Sequence, residues 1–251
     1  MSAHKETFGR TVGIVVAVCL ACSIVVSTAA VGLRSMQTAN AELDKQTNIL
    51  EAAGLLDQAG GDVAGTYERL VEERFVDLNS GEYVEVPEDY DMFKASKDPE
   101  YAVRPDPDPA GIFRHASVVS VYHIKNAEGQ VTRLVLPIYG SGLWNIMYGM
   151  LALDGDGNTT RNLVYYDHKE TPGLGGEVQN PAWKAKWDGK KLYKDGELAI
   201  QIKKNANPNN EYSVDALSGA TLTSNGVQAT LDYWLAQERL GNFLTKQPWK
   251  S

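Results

Sequence analysis

Residues 119–136, VSVYHIKNAEGQVTRLVL, contain two runs of alternating apolar residues on either side of a polar turn. Successive side chains of a β-strand point to opposite faces of the sheet, so this alternation predicts two strands. The turn at 126–129, Asn-Ala-Glu-Gly, contains residues that favour a reversal of the chain. The stretch is therefore predicted to be a β-hairpin, and it sets a period of two for this part of the chain.

Turns that contain Asp-Gly follow at 154–158, 188–189 and 195–196, each next to short apolar runs. The first of them, Asp-Gly-Asp-Gly-Asn, also resembles the start of a calcium loop. A loop of the EF-hand type places Gly at its sixth position and Glu at its twelfth, where Thr159 and Tyr165 stand in this chain. We therefore interpret this segment as a hairpin turn.

Helical patterns stand on both sides of the predicted strands. Apolar residues at helical spacing predict helices over about 39–56, 65–75 and 227–235. The stretch 87–111 is rich in proline and acidic residues, which favours a loop. Strands in the middle and helices at both ends predict an α+β fold, in which helices flank a twisted antiparallel sheet.

The segment 11–33 contains no charged residue and is rich in Val, Ile, Ala and Leu. As a helix it spans roughly 34 Å, which is enough to cross a hydrocarbon core of about 30 Å. A cleaved signal peptide is the alternative, with small residues at 28–30, but its apolar region usually has only about 7–15 residues. Lys5 and Arg10 precede the segment and Arg34 alone follows closely, which favours a cytoplasmic N-terminus and a domain on the outer side.

Charge and cysteine usage exclude some classes of function. The chain has 32 acidic and 24 basic residues, a net charge of −8, whereas a nucleic-acid surface needs clustered basic residues. The only two cysteines, Cys19 and Cys22, lie within the apolar segment. A membrane helix offers no second pair of ligands, so we interpret them as packing residues rather than as a metal or redox site.

Residues 215–223, DALSGATLT, are small and rich in hydroxyl groups, and they precede the predicted helix. The Ser-Gly-Ala turn lets the backbone curl tightly, and residues 223–225 offer side-chain oxygens for an N-cap. A helix N-terminus after such a turn suits a phosphate, because free N–H groups and the positive end of the dipole point at it. By these local properties alone, a turn followed by a cap is the favoured interpretation.

Two further stretches combine glycines with large or polar side chains: 140–149, GSGLWNIMYG, and 168–177, HKETPGLGGE. Such surroundings suit a planar cofactor, which needs apolar walls and a few backbone polar groups. Core packing of Trp144 and Tyr148 is the open alternative. His168 and Glu170 are too few for a zinc site, so we expect them to organise the loop through a hydrogen bond.

These stretches occur in the order seen in one family, and the chain resembles the C subunit of the sodium-translocating NADH:quinone oxidoreductases. The pattern Asp-x-x-Ser-Gly-Ala-Thr resembles the sequence at which a flavin transferase esterifies FMN onto a threonine, and the matching residues are Asp215, Ser218, Gly219, Ala220 and Thr221. The Leu-Trp and Met-Tyr pairs favour this family over its relative in the complex that links ferredoxin and NAD. That relative, and a membrane-anchored binding domain without flavin, remain the alternatives.

The resemblance implies an electron-transfer subunit of a bacterial inner-membrane complex, with its main domain on the periplasmic side. It carries covalent FMN and takes electrons from a membrane iron–sulfur centre to another flavin, while NADH and quinone bind to other subunits. The implied partners are those membrane subunits, the flavin transferase and the lipid bilayer. The implied divisions are a cytoplasmic N-terminus (1–10), a transmembrane helix (11–33), a helical and Pro-rich lead-in (34–111) and an FMN-binding domain (112–251).

The resemblance also implies which residues surround the cofactor, and it implies neither a catalytic residue nor a metal ligand. Thr221 is the attachment residue. The other implied cofactor-binding residues are Asp215, Ser218, Gly219, Ala220, Thr223, Trp144, Glu170, Thr171, Gly173, Leu174 and Gly175.

Overall fold

The structure, a computed structural model, describes residues 7–250 and contains two compact units, one ending at Lys45 and the other beginning at Gln46. The α-helices are α1 (Phe8–Ala52), α2 (Leu56–Ala59), α3 (Val63–Leu70), α4 (Met92–Ala95), α5 (Pro181–Lys184), α6 (Thr221–Trp234) and α7 (Leu240–Lys246). Short 3-10 helices cover Gly175–Gln179, Ala185–Trp187 and Pro248–Lys250.

The strands are β1 (Val71–Asp77), β2 (Glu82–Tyr83), β3 (Ala102–Val103), β4 (His115–Ala116), β5 (Val118–Lys125), β6 (Val131–Ser141), β7 (Ile146–Asp154), β8 (Thr160–Asp167), β9 (Tyr193–Lys194), β10 (Glu197–Leu198), β11 (Gln201–Lys203) and β12 (Ser213–Asp215). Six of them form one sheet in the order β2-β1-β5-β6-β7-β8, with every neighbouring pair antiparallel. The predicted α+β fold with an antiparallel sheet is therefore confirmed.

The first unit is the N-terminal part of α1. This helix is long and apolar enough to cross a membrane, and none of its apolar stretch is buried within the described residues. The predicted transmembrane segment 11–33 lies inside it. The helix is therefore a candidate membrane anchor.

Both faces of the sheet in the second unit are covered, because the period of two sends alternate side chains into two different cores. Leu136 of β6 belongs to the core that contains Leu231 and Trp234 of α6. Its neighbour Val135 belongs to the other core, which contains Leu50 at the C-terminal end of α1. Strands buried on both faces read as nearly continuous apolar runs, as β6 does over its central residues.

Three predictions about helix ends are wrong. The helix predicted over about 39–56 belongs to α1, which ends at Ala52, and α2 follows as a separate helix. The helix predicted over 65–75 ends at Leu70, and the chain continues as β1, which pairs with β5 along its whole length. Residues 223–225 do not cap the last long helix, because α6 begins at Thr221 and its N-cap residue, Ala220, has no side-chain oxygen to offer. The loop predicted over 87–111 is mostly irregular, with α4 and β3 inside it.

Candidate functional site

The turn between β6 and β7 lies beside the N-terminal half of α6. The indole N–H of Trp234 donates a hydrogen bond of 2.7 Å to the carbonyl of Tyr139 and fixes the helix on this strand. Nearer the N-terminus, a Cβ at Gly226 would lie only 3.2 Å from Cα of Gly142 and would overlap the carbonyl of Ser141. Glycine at position 226 thus lets the start of the helix approach the hairpin turn closely.

A cavity of about 220 Å³ opens between this turn, the loop 168–177 and the start of α6. Its lining contains eight of the residues predicted for the cofactor site: Glu170, Thr171, Leu174, Gly175, Gly219, Ala220, Thr221 and Thr223. Leu143 and Leu222 complete the lining. Three segments that are distant in sequence therefore meet at one place.

Thr221 is the first residue of α6, and its side chain is exposed at this cavity. Within residues 7–250, its hydroxyl forms no hydrogen bond with another group of the chain. Over the same described range, the N–H groups of residues 221–223 have no hydrogen-bond partner and no side-chain cap, and the first N–H of α6 that is paired is that of Ser224, which donates to the carbonyl of Ala220 at 3.0 Å. The site therefore presents a free hydroxyl beside unpaired donors at the positive end of a helix of 14 residues.

The loop that closes the cavity is held by its own backbone. The N–H of Glu170 donates to Nδ1 of His168 over 3.1 Å, so these two residues join the start of the loop to itself. The carbonyl of Thr171 accepts the N–H groups of Leu174, at 3.1 Å, and Gly176, at 2.9 Å. These bonds fold residues 168–176 into a compact loop beside the cavity.

Apolar side chains remain exposed around the mouth of the cavity. They belong to Leu143, Trp144, Leu174 and Leu222, and Trp144 is 67% exposed. Trp144 is therefore outside the core, and its indole N–H donates a 3.1 Å hydrogen bond to the hydroxyl of Thr171. Tyr148, by contrast, packs against Phe93 and Tyr139.

Asp215, Ser218 and Gly173 do not line this cavity. Asp215 instead lies 3.2 Å from Nζ of Lys186 and accepts the N–H of Ala206 at 3.2 Å. Partial burial raises the pKa of Asp215, but these contacts outweigh it and the pKa is lowered. Asp215 therefore organises the chain that leads into the motif.

Leu143 and Leu222 are lining residues that the sequence analysis did not single out as site residues. The buried positions of α6 include Thr223, Val227 and Leu231, which follow the helical spacing of four. Leu222 falls outside that spacing and is 61% exposed. An apolar residue that lies away from the buried face of a helix is the signal that could have identified Leu222.

Comparisons with known proteins show which family this chain resembles. The sequence model of the FMN-binding domain family matches residues 142–236. The C subunit of the Na(+)-translocating NADH-quinone reductase from Yersinia pestis is 46% identical over 250 residues, covering 97% of this chain and 94% of that protein. The same protein from Vibrio alginolyticus is 47% identical over 251 residues, covering 98% of this chain and 97% of that protein.

The fold agrees as well. The crystal structure of NqrC from Shewanella oneidensis matches with a TM-score of 0.77 and 31% identity, covering 82% of this chain and 98% of that chain. With 46–47% identity to the two relatives over nearly its whole length, the chain belongs to the family of the C subunit of the Na(+)-translocating NADH-quinone reductase.

Proposed function

We propose that this chain carries FMN through a phosphodiester to Oγ1 of Thr221 and relays electrons within a Na(+)-translocating NADH-quinone reductase. The observation that carries the proposal is the position of Thr221, which is exposed, begins α6 and lines the cavity. The relatives named as subunits of this reductase and the match to the FMN-binding domain family support it. The donor is an iron–sulfur centre of the membrane subunits and the acceptor is another covalent flavin, as the resemblance implies.

The residues around Thr221 fit an FMN group. Free N–H groups at the start of α6 suit a phosphate, and the apolar side chains of Leu143, Trp144 and Leu174 suit a flat ring. The cavity of about 220 Å³ is smaller than the ~300–1,000 Å³ typical of small-molecule and cofactor sites, so it encloses only part of an FMN group. A covalent link therefore supplies retention that the cavity alone does not.

Attachment at Thr221 is a phosphoryl transfer. The hydroxyl loses its proton, Oγ1 bonds to phosphorus and a phosphoanhydride bond of the flavin donor breaks. FAD contains such a bond, so AMP is the leaving group and no electrons are exchanged. Among the lining residues only Glu170 has a titratable side chain, and its oxygens already accept hydrogen bonds. The base that removes the proton therefore belongs to the flavin transferase.

Bound FMN supplies the redox chemistry, and this chain contributes position and anchorage. In the proposal, α1 crosses the inner membrane of a bacterium and the second unit lies on the periplasmic side. The basic residues Lys5 and Arg10 before the apolar segment support this orientation. NADH and quinone bind to other subunits.

The test is the mass of the peptide that spans 215–225, taken from full-length protein produced together with its flavin transferase. We expect that peptide to carry the mass of FMN less one water in the wild type and to be unmodified in Thr221→Ala. Thr223→Ser serves as the control and retains the label, since position 223 lies beyond the motif. An unmodified wild-type peptide, or a labelled Thr221→Ala peptide, contradicts the proposal.

A further inference from the structure

The carboxylate of Glu170 is almost completely buried, with only 5% of the residue exposed. Its Oε1 accepts the backbone N–H groups of Leu143 and Trp144, each at 3.0 Å. Its Oε2 accepts the hydroxyl of Thr223, which lies in the first turns of α6. One side chain therefore joins the hairpin turn, its own loop and the helix that begins at Thr221.

The chain makes room for this carboxylate with two glycines. A Cβ at Gly142 would lie 2.6 Å from Oε1 of Glu170, and a Cβ at Gly175 would lie 2.5 Å from Oε2. Side chains at these positions are incompatible with the observed place of the carboxylate. The backbones of the turn and the loop thus approach Glu170 as closely as they do because both positions are glycine.

We propose that Glu170 is a positioning residue that acts through Thr223 and the two amides to hold the cavity beside Thr221 in shape before the flavin is attached. This inference rests on the proposed attachment at Thr221. Both oxygens of the carboxylate are engaged with donors of the chain itself. Glu170 therefore serves the cofactor through its neighbours rather than through contact with it.

The hydrogen bonds of Glu170 predict how substitutions of this residue rank in their effect on FMN uptake. Glu170→Met leaves two N–H groups and one hydroxyl without an acceptor, and unpaired buried groups are costly. Glu170→Gln keeps one oxygen for the two amides, and its NH₂ group donates to the hydroxyl of Thr223, which can also accept. We therefore expect Glu170→Gln to retain much of the rate of FMN uptake that Glu170→Met loses.

Thr223 allows a matched test on the same helix. Thr223→Val removes the hydroxyl that reaches Glu170, whereas Thr223→Ser retains it. The control is Thr230→Val, because Thr230 is also buried in α6 and its hydroxyl donates to the carbonyl of Gly226 rather than to Glu170. Both valine variants lose one buried hydroxyl, so a purely structural effect is similar in the two.

The experiment uses full-length protein in detergent, made without the transferase and then incubated with purified transferase and limiting FAD. We expect Glu170→Met and Thr223→Val to take up FMN about tenfold more slowly, with Glu170→Gln in between, Thr223→Ser recovering most of the rate that Thr223→Val loses, and Thr230→Val within about twofold of the wild type. In the unmodified proteins, amide hydrogen exchange at Leu143 and Trp144 is expected to be about tenfold faster in Thr223→Val than in Thr230→Val.

Equal rates of uptake and of exchange in Thr223→Val and Thr230→Val overturn the inference. Uptake by folded Glu170→Met at the wild-type rate overturns it as well. If Glu170→Met does not fold, the pair of valine variants still decides. A wild-type protein that takes up no FMN contradicts the proposed function, whereas the exchange measurement, which needs no flavin, still tests the role of Glu170.

Discussion

Nζ of Lys186 lies 3.2 Å from Oδ2 of Asp215, so the first residue of the Asp-x-x-Ser-Gly-Ala-Thr motif is engaged away from the cavity at Thr221. Oδ1 of Asp215 accepts the N–H of Ala206. The backbone carbonyl of Asp215 accepts the indole N–H of Trp183 at 2.9 Å. Asp215 lines a separate cavity. The motif therefore has two structural parts: its first residue fixes where the loop starts, and its last presents the hydroxyl.

This division predicts that replacing Lys186 and replacing Asp215 lower the free energy of unfolding by different amounts. Lys186→Met removes only a partly exposed ion pair, which is expected to cost less than about 1 kcal/mol. Asp215→Ala also leaves the N–H of Ala206 without its acceptor and is expected to cost about 1–2 kcal/mol. Urea unfolding of both variants measures the difference. Equal losses of stability would show that the contact with Ala206 contributes nothing.

The indole of Trp144 is expected to contribute to the affinity for FMN before attachment. In a Thr221→Ala background, which cannot form the ester, Trp144→Ala is predicted to weaken binding of FMN about two- to tenfold, because an aromatic contact contributes ~0.5–1.5 kcal/mol. Fluorescence titration with FMN measures the dissociation constant. Trp249→Phe is the control, since its indole N–H donates to the carbonyl of Gly155. Unchanged affinity in Trp144→Ala contradicts the prediction.

The hairpin of β5 and β6 was predictable because alternation and turn residues are local signals. The end of α3 at Leu70 was not, because the competing strand β1 is stabilised by pairing with β5, far along the chain. A local helical pattern contains no information about that partner. The resemblance to the reductase family was correct, and the full-length relatives confirm it.

The sequence predicted which residues belong to the site better than it predicted what each residue does there. Eight implied residues line one cavity, but sequence spacing does not reveal which side chains point into it and which point to other parts of the chain. Asp215 and Thr221 stand in one short motif and face different surroundings. Glu170 and Thr223 touch each other although 53 positions of sequence separate them.

Gly142 is expected to tolerate no side chain, although its backbone is not in the left-handed region. A Cβ at this position would lie 2.6 Å from Oε1 of Glu170 and 2.9 Å from Sδ of Met147. Overpacking of this kind usually costs about 1–3 kcal/mol, and here it also displaces the carboxylate. We predict that Gly142→Ala lowers the free energy of unfolding by this amount and slows uptake of FMN.

Gly189→Ala is the matched control for this prediction. Gly189 has a φ of 75°, and a Cβ there would meet no atom within 4 Å, so alanine introduces backbone strain without a clash at the site. It is expected to destabilise the protein by about 1 kcal/mol and to leave the rate of FMN uptake unchanged. If Gly142→Ala and Gly189→Ala change uptake equally, the effect at Gly142 arises from stability alone.

His123 makes the stability of the sheet dependent on pH. Its ring is buried, and Nε2 lies 2.9 Å from the hydroxyl of Tyr83. Burial lowers the pKa of His123 to about 4, although the nearby carboxylate of Glu72 opposes this shift. The neighbouring cations Arg74 and Lys125 lower the pKa further. The folded protein therefore keeps His123 neutral at pH values where an exposed histidine is protonated.

Between pH 6.5 and about 4 the unfolded state binds the additional proton, so the free energy of unfolding falls as the pH falls through this window. At about 1.4 kcal/mol per pH unit, His123 accounts for a loss of up to about 3 kcal/mol. We predict that His123→Gln is less stable than the wild type at pH 7 and that the difference shrinks by up to this amount at pH 4. Urea unfolding at intervals of half a pH unit measures it. A difference that stays constant from pH 7 to pH 4 would show that His123 is not the titrating group.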